Sequence, residues 1–192
     1  MSFDGIFTKA VVDEIYPLLL NGKINKINQP DKNEINLQIY NKENYKLLLS
    51  CANNLSRIHL SEKSKKNPIT AYNFCMLLRK HLVGGTIKNI YQHKMDRVVC
   101  FEIENLNELK ELSKKLLIIE IMGKASNIFL TCKDKILSAL FFTSIDVGNR
   151  VIMTGAKYTL PFEEKKISPI YLEKENFPFE TETFLEKIEG AG

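Results

Sequence analysis

The spacing of apolar residues changes along this chain, and that change constrains the fold more than any other feature. Near the N-terminus apolar residues recur at helical spacing behind Asp4, which suits an N-cap, and Pro17 is expected to end or kink this helix. Ile35, Leu37 and Ile39 then alternate strictly with polar residues, as in a half-buried strand. The segments KENYKLLLSCA and RIHLSE continue in the same style. The first third of the chain therefore predicts one helix followed by an antiparallel meander.

A second helix and a second group of strands follow the polar loop SEKSKKNP. The stretch ITAYNFCMLLRKHLVGG has one apolar face, ends at Gly84-Gly85 and carries the basic cluster Arg79-Lys80-His81 in its last turn. Strand-like runs come next: TIKNIYQHKM, RVVCFEIEN, KLLIIEIMG, SNIFLTCK, KILSALFF and the short KYTLP. The order of helix, strands, helix and strands predicts an α+β fold. We expect a mainly antiparallel, sandwich-like sheet with two flanking helices.

Composition excludes several classes of protein. The chain has 192 residues, of which 44% are hydrophobic, and its N-terminus lacks the basic and apolar regions of a secretory signal. It contains no apolar run of membrane-spanning length. The four cysteines are widely spaced without a C-x-x-C pair, which favours a reducing, cytoplasmic location and argues against a zinc site. A net charge of +4 permits a nucleic-acid partner without demanding one.

Arginine is scarce in this chain. Lysine and arginine together number 27, yet the only arginines are Arg57, Arg79, Arg97 and Arg150. Lysine supplies generic positive charge, whereas only arginine supplies a planar fork for a phosphate, a carboxylate or a base edge. Each of the four is therefore a candidate position where a fork is needed. For the Arg79-Lys80-His81 cluster, a purely electrostatic role at the end of a helix remains open.

No catalytic motif is present. The chain lacks G-x-S-x-G, H-E-x-x-H and G-x-x-x-x-G-K-[ST], and its three histidines have no cysteine or second histidine nearby in sequence. We therefore expect no enzymatic activity, no metal and no cofactor.

Two constellations remain as candidate sites. Asp96-Arg97 lies at a predicted hairpin tip within HKMDRVVCFEI, and EIMGKASN places Glu120 in an otherwise apolar strand that ends at Gly123. A buried glutamate needs a partner, and Arg97 on the nearby hairpin is a natural candidate. The residues alone leave two alternatives open, a structural ion pair and a binding site.

Seven segments, in order, resemble a known family. They are MSFDGIFTKAVVDE, KINKINQP, YKLLLSC, RIHLSE, FCMLLRKHLVGG, MDR and IIEIMGKASNIFL. Together they are similar to the N-terminal domain of the NFACT proteins, which include bacterial RqcH, proteins called fibronectin-binding protein A and the eukaryotic nuclear export mediator factor. The resemblance runs from about Met1 to Pro161 and includes all four arginines. Thr154 departs from it, because a proline usually stands there.

The resemblance implies a domain at residues 1–176, with residues 177–192 forming a linker and the start of a helix-hairpin-helix region. It also implies a fold like the N-terminal domain of formamidopyrimidine-type DNA glycosylases. Those enzymes use an N-terminal proline as nucleophile, and this chain begins Met1-Ser2-Phe3, so a glycosylase activity is not expected.

The resemblance further implies a role in ribosome-associated quality control. Family members bind large ribosomal subunits obstructed by a stalled peptidyl-tRNA and recruit alanine tRNA for template-free tailing of the nascent chain. The residues implied to contact the tRNA anticodon arm are Asp96, Arg97, Glu120, Ile121, Met122 and Gly123. Supporting RNA contacts would come from Lys124, Arg79 and Arg150. Two alternatives stay open: a surface adhesin that binds fibronectin, and a scaffold domain without direct RNA contact.

Overall fold

A computed structural model describes residues 3–63, 65–106, 109–143 and 150–161. Within these ranges there are two α-helices, α1 (Gly5–Leu19) and α2 (Asn73–Leu82), and a short 3-10 turn at Gly123–Ala125. The strands are β1 (Lys23–Asp31), β2 (Glu34–Asn41), β3 (Glu43–Ser50), β4 (Arg57–Leu60), β5 (Thr86–Gln92), β6 (Val98–Leu106), β7 (Leu112–Glu120), β8 (Asn127–Cys132) and β9 (Lys135–Ala139). The predicted α+β class is confirmed.

Helix α1 begins as the sequence predicts but ends later. The N–H of Phe7 donates to Oδ1 of Asp4 over 2.7 Å, which confirms the N-cap. Of the two effects expected at Pro17, an end or a kink, the helix end is not found, since the helix continues to Leu19. Pro17 stands in the last turn, where it removes only one helical hydrogen bond, and the N–H of Leu20 still reaches the carbonyl of Tyr16 over 2.9 Å. Complete burial of Leu19 favours this extra turn.

The nine strands form one antiparallel sheet in the order β4-β3-β2-β1-β5-β6-β7-β8-β9. Its two halves, β1–β4 and β5–β9, are joined at the pair Lys23 and Thr86. Two glycines next to this junction stand where a Cβ would collide with a residue of the same half of the sheet. A Cβ on Gly22 would lie 2.6 Å from Cγ2 of Ile39, and one on Gly85 would lie 2.9 Å from Cγ2 of Ile103.

Two apolar clusters lie on opposite faces of the second half of the sheet. The larger one combines both helices with residues of both halves, and includes Val99, Leu117 and Ile119. The smaller one contains Val98, Ile118, Phe129 and Ile152, and the segment 150–161 packs against it. Strands β6, β7 and β8 are therefore covered on both faces, which explains their nearly continuous apolar runs.

The last predicted strand is only partly formed. Lys157 of KYTLP makes an isolated antiparallel bridge to Lys135, and this bridge is not part of an extended strand. The segment instead lies against strand β9, where the N–H of Ile136 donates to the carbonyl of Ala156 over 2.8 Å. It thereby covers part of an edge strand.

Candidate functional site

Asp96 and Arg97 lie in the turn between β5 and β6, as the sequence predicts. The turn is closed by a hydrogen bond from the N–H of His93 to the carbonyl of Val98, 2.9 Å long. The side-chain amide of Gln92 donates to the carbonyl of Asp96 over 2.7 Å and to that of Gly5 over 2.8 Å. Met95, within the turn, is buried. These contacts hold the turn against the start of helix α1.

The side chains of Asp96 and Arg97 are half-buried and point to no internal partner. Among the described residues, neither side chain makes a hydrogen bond or an ion pair. An arginine fork that no described residue binds is the feature that most favours a binding surface here.

The end of strand β7 lies directly beside this turn. Val98 pairs with Glu120 in the sheet, and the N–H of Ile121 donates to the carbonyl of Arg97 over 2.8 Å. The chain then leaves the sheet at Met122 and Gly123. The structure thus places the two predicted segments side by side at one end of the sheet.

The turn after β7 is held by local hydrogen bonds. Gly123 has a φ of +57°, a left-handed conformation that favours glycine. Oγ of Ser126 accepts from the N–H of Met122 over 2.7 Å. Met122 and Gly123 are half-buried and Lys124 is exposed. This turn carries an apolar thioether and a lysine on the backbone segment that follows Ile121, which is hydrogen-bonded to the Arg97 carbonyl.

Glu120 is almost completely buried, with 1% of its surface exposed, and its partner is Arg150. The Arg150 guanidinium donates to both carboxylate oxygens, over 2.8 and 2.6 Å, and the Tyr158 hydroxyl donates to Oε1 over 2.7 Å. The expectation that Arg97 pairs with Glu120 is therefore wrong. The side chain of Glu120 lies on the sheet face covered by the segment 150–161, and that segment supplies both donors.

Electrostatic attraction and two aromatic rings stabilise the buried pair of Glu120 and Arg150. Burial disfavours the charge of Arg150, but its hydrogen bonds and attraction to Glu120 prevail and raise its pKa. Burial, followed by repulsion from Glu120, raises the pKa of Tyr158. The Arg150 guanidinium also lies 5.1 Å from the ring centroids of both Phe129 and Tyr158. We call Glu120, Arg150, Tyr158 and Phe129 the buried arginine cluster.

The remaining arginines are used inside the fold. Nε of Arg79 donates to the carbonyl of Ile27 over 2.7 Å, which anchors α2 to β1. Arg57 donates to the carbonyl of Leu55 over 2.8 Å. Of the four arginines, Arg97 is the one whose guanidinium has no partner among the described residues. No described contact links Arg79 to the turn that carries Arg97.

Sequence reasoning missed three residues that shape this site. Gln92 fastens the turn, while Tyr158 and Phe129 complete the buried arginine cluster. Tyr158 carried a signal, because it closes the stretch N-R-x-x-x-x-G-x-x-Y, from Asn149 to Tyr158, which also resembles the NFACT pattern. Gln92 and Phe129 carried none, since both look like ordinary strand residues.

Within the described ranges, no group of three His, Cys, Asp or Glu side chains lies close enough together to hold a metal ion. Neither helix in those ranges has the length and apolarity needed to cross a membrane.

The family model described as NFACT N-terminal and middle domains matches residues 4–189 of the chain. The chain belongs to the NFACT family. A curated NFACT relative, the Rqc2 homolog RqcH of Bacillus subtilis, is 40% identical over 174 residues, which is 88% of this chain and 30% of that protein. The Rqc2 homolog RqcH of Streptococcus pneumoniae is 38% identical over 179 residues, 91% of this chain and 32% of that protein. The chain thus spans about a third of the length of these relatives.

Solved structures of NFACT relatives have the same fold. The N-terminal domain of fibronectin-binding protein PavA from Streptococcus pneumoniae is 38% identical with a TM-score of 0.86, covering 91% of this chain and 66% of that one. The N-terminal part of the fibronectin/fibrinogen-binding protein from Streptococcus suis is 34% identical with a TM-score of 0.93, covering 100% and 76%. The fibrinogen-binding protein from Staphylococcus aureus is 32% identical with a TM-score of 0.82, covering 99% and 71%. The domain boundary predicted at residue 176 lies outside the described residues.

Proposed function

We propose that this NFACT chain is the RNA-binding N-terminal part of a ribosome-associated quality control factor. One observation supports the proposal most: Arg97, the arginine without an internal partner among the described residues, lies in a turn beside the strand end that leads into the turn Met122–Lys124. The relatives named RqcH support the same assignment, since the chain matches their N-terminal domain family at about 40% identity. The factor would act in the cytoplasm on large ribosomal subunits obstructed by stalled peptidyl-tRNA. It would recruit alanine tRNA for template-free tailing.

In this proposal the surface reads an unpaired loop of the tRNA anticodon arm. The Arg97 fork binds a base edge or stacks on a base, and Asp96 orients it or accepts from a base amino group. Met122 offers an apolar shelf, and Lys124 attracts the phosphate backbone. The function is binding, with no cofactor, and peptide-bond formation stays with the ribosome.

The roles of Glu120 and the other arginines are indirect in this proposal. Glu120 and Ile121 are each 1% exposed, too deeply buried to touch RNA directly, so Glu120 acts by holding the strand end that leads to Met122. Arg150 holds Glu120, and Arg79 holds helix α2. The guanidinium groups of both arginines therefore serve the fold, and the charge of Arg150 is balanced by Glu120.

The direct test is binding of an alanine tRNA anticodon stem-loop to the wild-type chain and its variants. Arg97→Lys keeps the charge and removes the fork, so we expect it to cost about 1–3 kcal/mol of binding free energy. Asp96→Ala should weaken binding as well. Lys88→Ala, at an exposed lysine far from the turn, is the matched control and should alter only the salt dependence slightly.

Thermal unfolding must accompany these titrations. Arg97→Lys should leave the melting temperature unchanged, because the Arg97 guanidinium makes no hydrogen bond or ion pair with a described residue. If both site variants bind RNA like the wild type, or lose binding only because they unfold, the turn is structural and this proposal fails.

A second candidate function is binding of fibronectin or fibrinogen, which the names of the three structural relatives favour. Binding to immobilised fibronectin, measured beside the RNA titrations, tests it. Sedimentation of the cellular protein with large ribosomal subunits would make quality control the main role. Recovery from the cell surface without ribosomes would make adhesion the main role.

A further inference from the structure

A groove of about 540 Å³ opens at the other end of the β6–β7 hairpin, away from Arg97. Strand β6 has nine residues, so the two ends of the hairpin lie about 27 Å apart. The groove is lined by Lys80 and His81 from the end of helix α2, by Leu106, Leu109 and Lys115 from the hairpin, and by Leu137 of strand β9. Its volume suits a few side chains of a bound segment.

The decisive feature of the groove is the ammonium group of Lys115. Lys115 is 7% exposed as a residue, and the hydrogen bond of its ammonium group is part-buried. Its Nζ donates to Oγ of Ser113 over 2.9 Å, and among the described residues it makes no ion pair. An ammonium with one hydroxyl partner has donor capacity left, and no described residue supplies its counter-charge. An anion bound in the groove would accept the remaining hydrogen bonds and supply the counter-charge.

The walls of the groove decide which kind of anion fits. Leu106 is 60% exposed and Leu109 is 78% exposed, which is unusual for two leucines at one hairpin end. They offer aliphatic surface, and no aromatic residue on which a base could stack lines the groove within the described ranges. A carboxylate carried between apolar side chains matches this lining better than a nucleic acid does.

We propose that this groove binds an acidic amphipathic segment of a partner protein, with a Glu or Asp carboxylate on Lys115 and apolar side chains on Leu106 and Leu109. Lys80 at the rim adds positive charge that complements such a segment. The arrangement corresponds to a helix laid into a groove, with anchors at spacings of three and four residues. The site is distinct from the proposed RNA surface and does not depend on it.

The probe is a short synthetic helical peptide in which leucine and glutamate recur at spacings of three and four residues. Its control is the same peptide with every glutamate replaced by glutamine. Titration into the isotope-labelled 192-residue chain should shift the backbone amide resonances of Leu106, Ser113 and Lys115. The neutral peptide should bind about tenfold more weakly or not at all, because a charge-assisted hydrogen bond is lost.

Three substitutions separate binding from folding. Lys115→Met should weaken peptide binding about tenfold while keeping or raising the stability of the chain, since methionine is similar in length to lysine and carries no charge. Leu109→Ser, at an exposed position, should weaken binding without affecting stability. Leu55→Ser, at a leucine that is 64% exposed beside strand β4, is the matched control and should leave binding unchanged.

The outcomes also distinguish this site from the RNA surface. Arg97→Lys should leave peptide binding intact, so failure of the RNA proposal leaves this one standing. The proposal is overturned if the neutral peptide binds equally well, if Lys115→Met and Leu109→Ser both bind like the wild type, or if the groove resonances do not shift. It is also overturned if an RNA oligonucleotide shifts the same resonances and displaces the peptide.

Discussion

Glu120 and Arg150 form a two-point ion pair, with N–O distances of 2.8 and 2.6 Å, between residues that lie 30 positions apart in the sequence. Glu120 ends strand β7, and Arg150 begins the segment that covers the outer face of β7 and β8. The pair therefore fastens that segment to the sheet directly beneath the turn that carries Met122. Its integrity should control stability, whereas Arg97 should control binding.

Removing Arg150 should strongly destabilise the chain. Arg150→Ala leaves the Glu120 carboxylate buried with only the Tyr158 hydroxyl, so we expect the free energy of unfolding to fall by about 3–5 kcal/mol. Urea denaturation measures this change. Lys114→Ala is the control, because Lys114 is 80% exposed in its pair with Glu104 and should cost less than about 1 kcal/mol. Equal losses in the two variants would contradict the importance of the buried pair.

Removing the Tyr158 hydroxyl should have a smaller effect. Tyr158→Phe keeps the ring against Phe129 and Arg150 but deletes a hydrogen bond to a charged group, worth about 1.5–3 kcal/mol. Arg150 still neutralises Glu120, so the loss should fall below that of Arg150→Ala. Denaturation of the double variant, with both Arg150→Ala and Tyr158→Phe, tests whether the two donors are energetically coupled. Strictly additive losses would show that the two donors act independently.

Alkaline pH should destabilise the chain through buried groups that stay protonated. Burial, and secondarily Glu120, raises the pKa of Cys51 from 9.0 to about 12. Below pH 9 both the folded and unfolded thiols are protonated, so this contribution to stability is complete. Between pH 9 and about 12 the unfolded thiol loses its proton first, and stability falls by about 1.4 kcal/mol per pH unit for this group.

The variant Cys51→Ala tests that assignment. The slope of the unfolding free energy against pH should become shallower in this range, whereas Cys132→Ala, at a half-exposed position, should keep the slope of the wild type. Parallel slopes for wild type and Cys51→Ala would show that Cys51 titrates normally in the folded chain.

Thiol reagents should distinguish one cysteine from the other three. Cys51, Cys75 and Cys100 are buried, and burial raises the pKa of each thiol, while Cys132 is half-exposed. A disulfide reagent at pH 8 should therefore modify Cys132 rapidly and the other three only at the rate of unfolding. Mass spectrometry of the labelled peptides identifies the site. Rapid modification of Cys100 would contradict the covered outer face of the sheet.

Local features were predictable because their causes lie within a few residues. Asp4 caps a helix whose first turn it precedes, and alternation of apolar residues marks β2, since each depends only on nearby sequence. The end of helix α1 was not predictable in the same way. The sequence shows that Pro17 lacks a hydrogen-bond donor, but it does not show the burial of Leu19, which favours continuation of the helix beyond Pro17.

The sequence by itself determined that an acid stands in an apolar strand and that four arginine forks are available to meet it. Only the tertiary structure decided which fork does so. Side chains of successive strand residues point to opposite faces, and the segment containing Arg150 and Tyr158 covers the face on which Glu120 lies. The backbone of Arg97 lies close to Glu120, because its carbonyl accepts from the N–H of Ile121. Its guanidinium is nevertheless left without a partner among the described residues. Folding of the chain, and not proximity in sequence, brings the donors to the buried carboxylate.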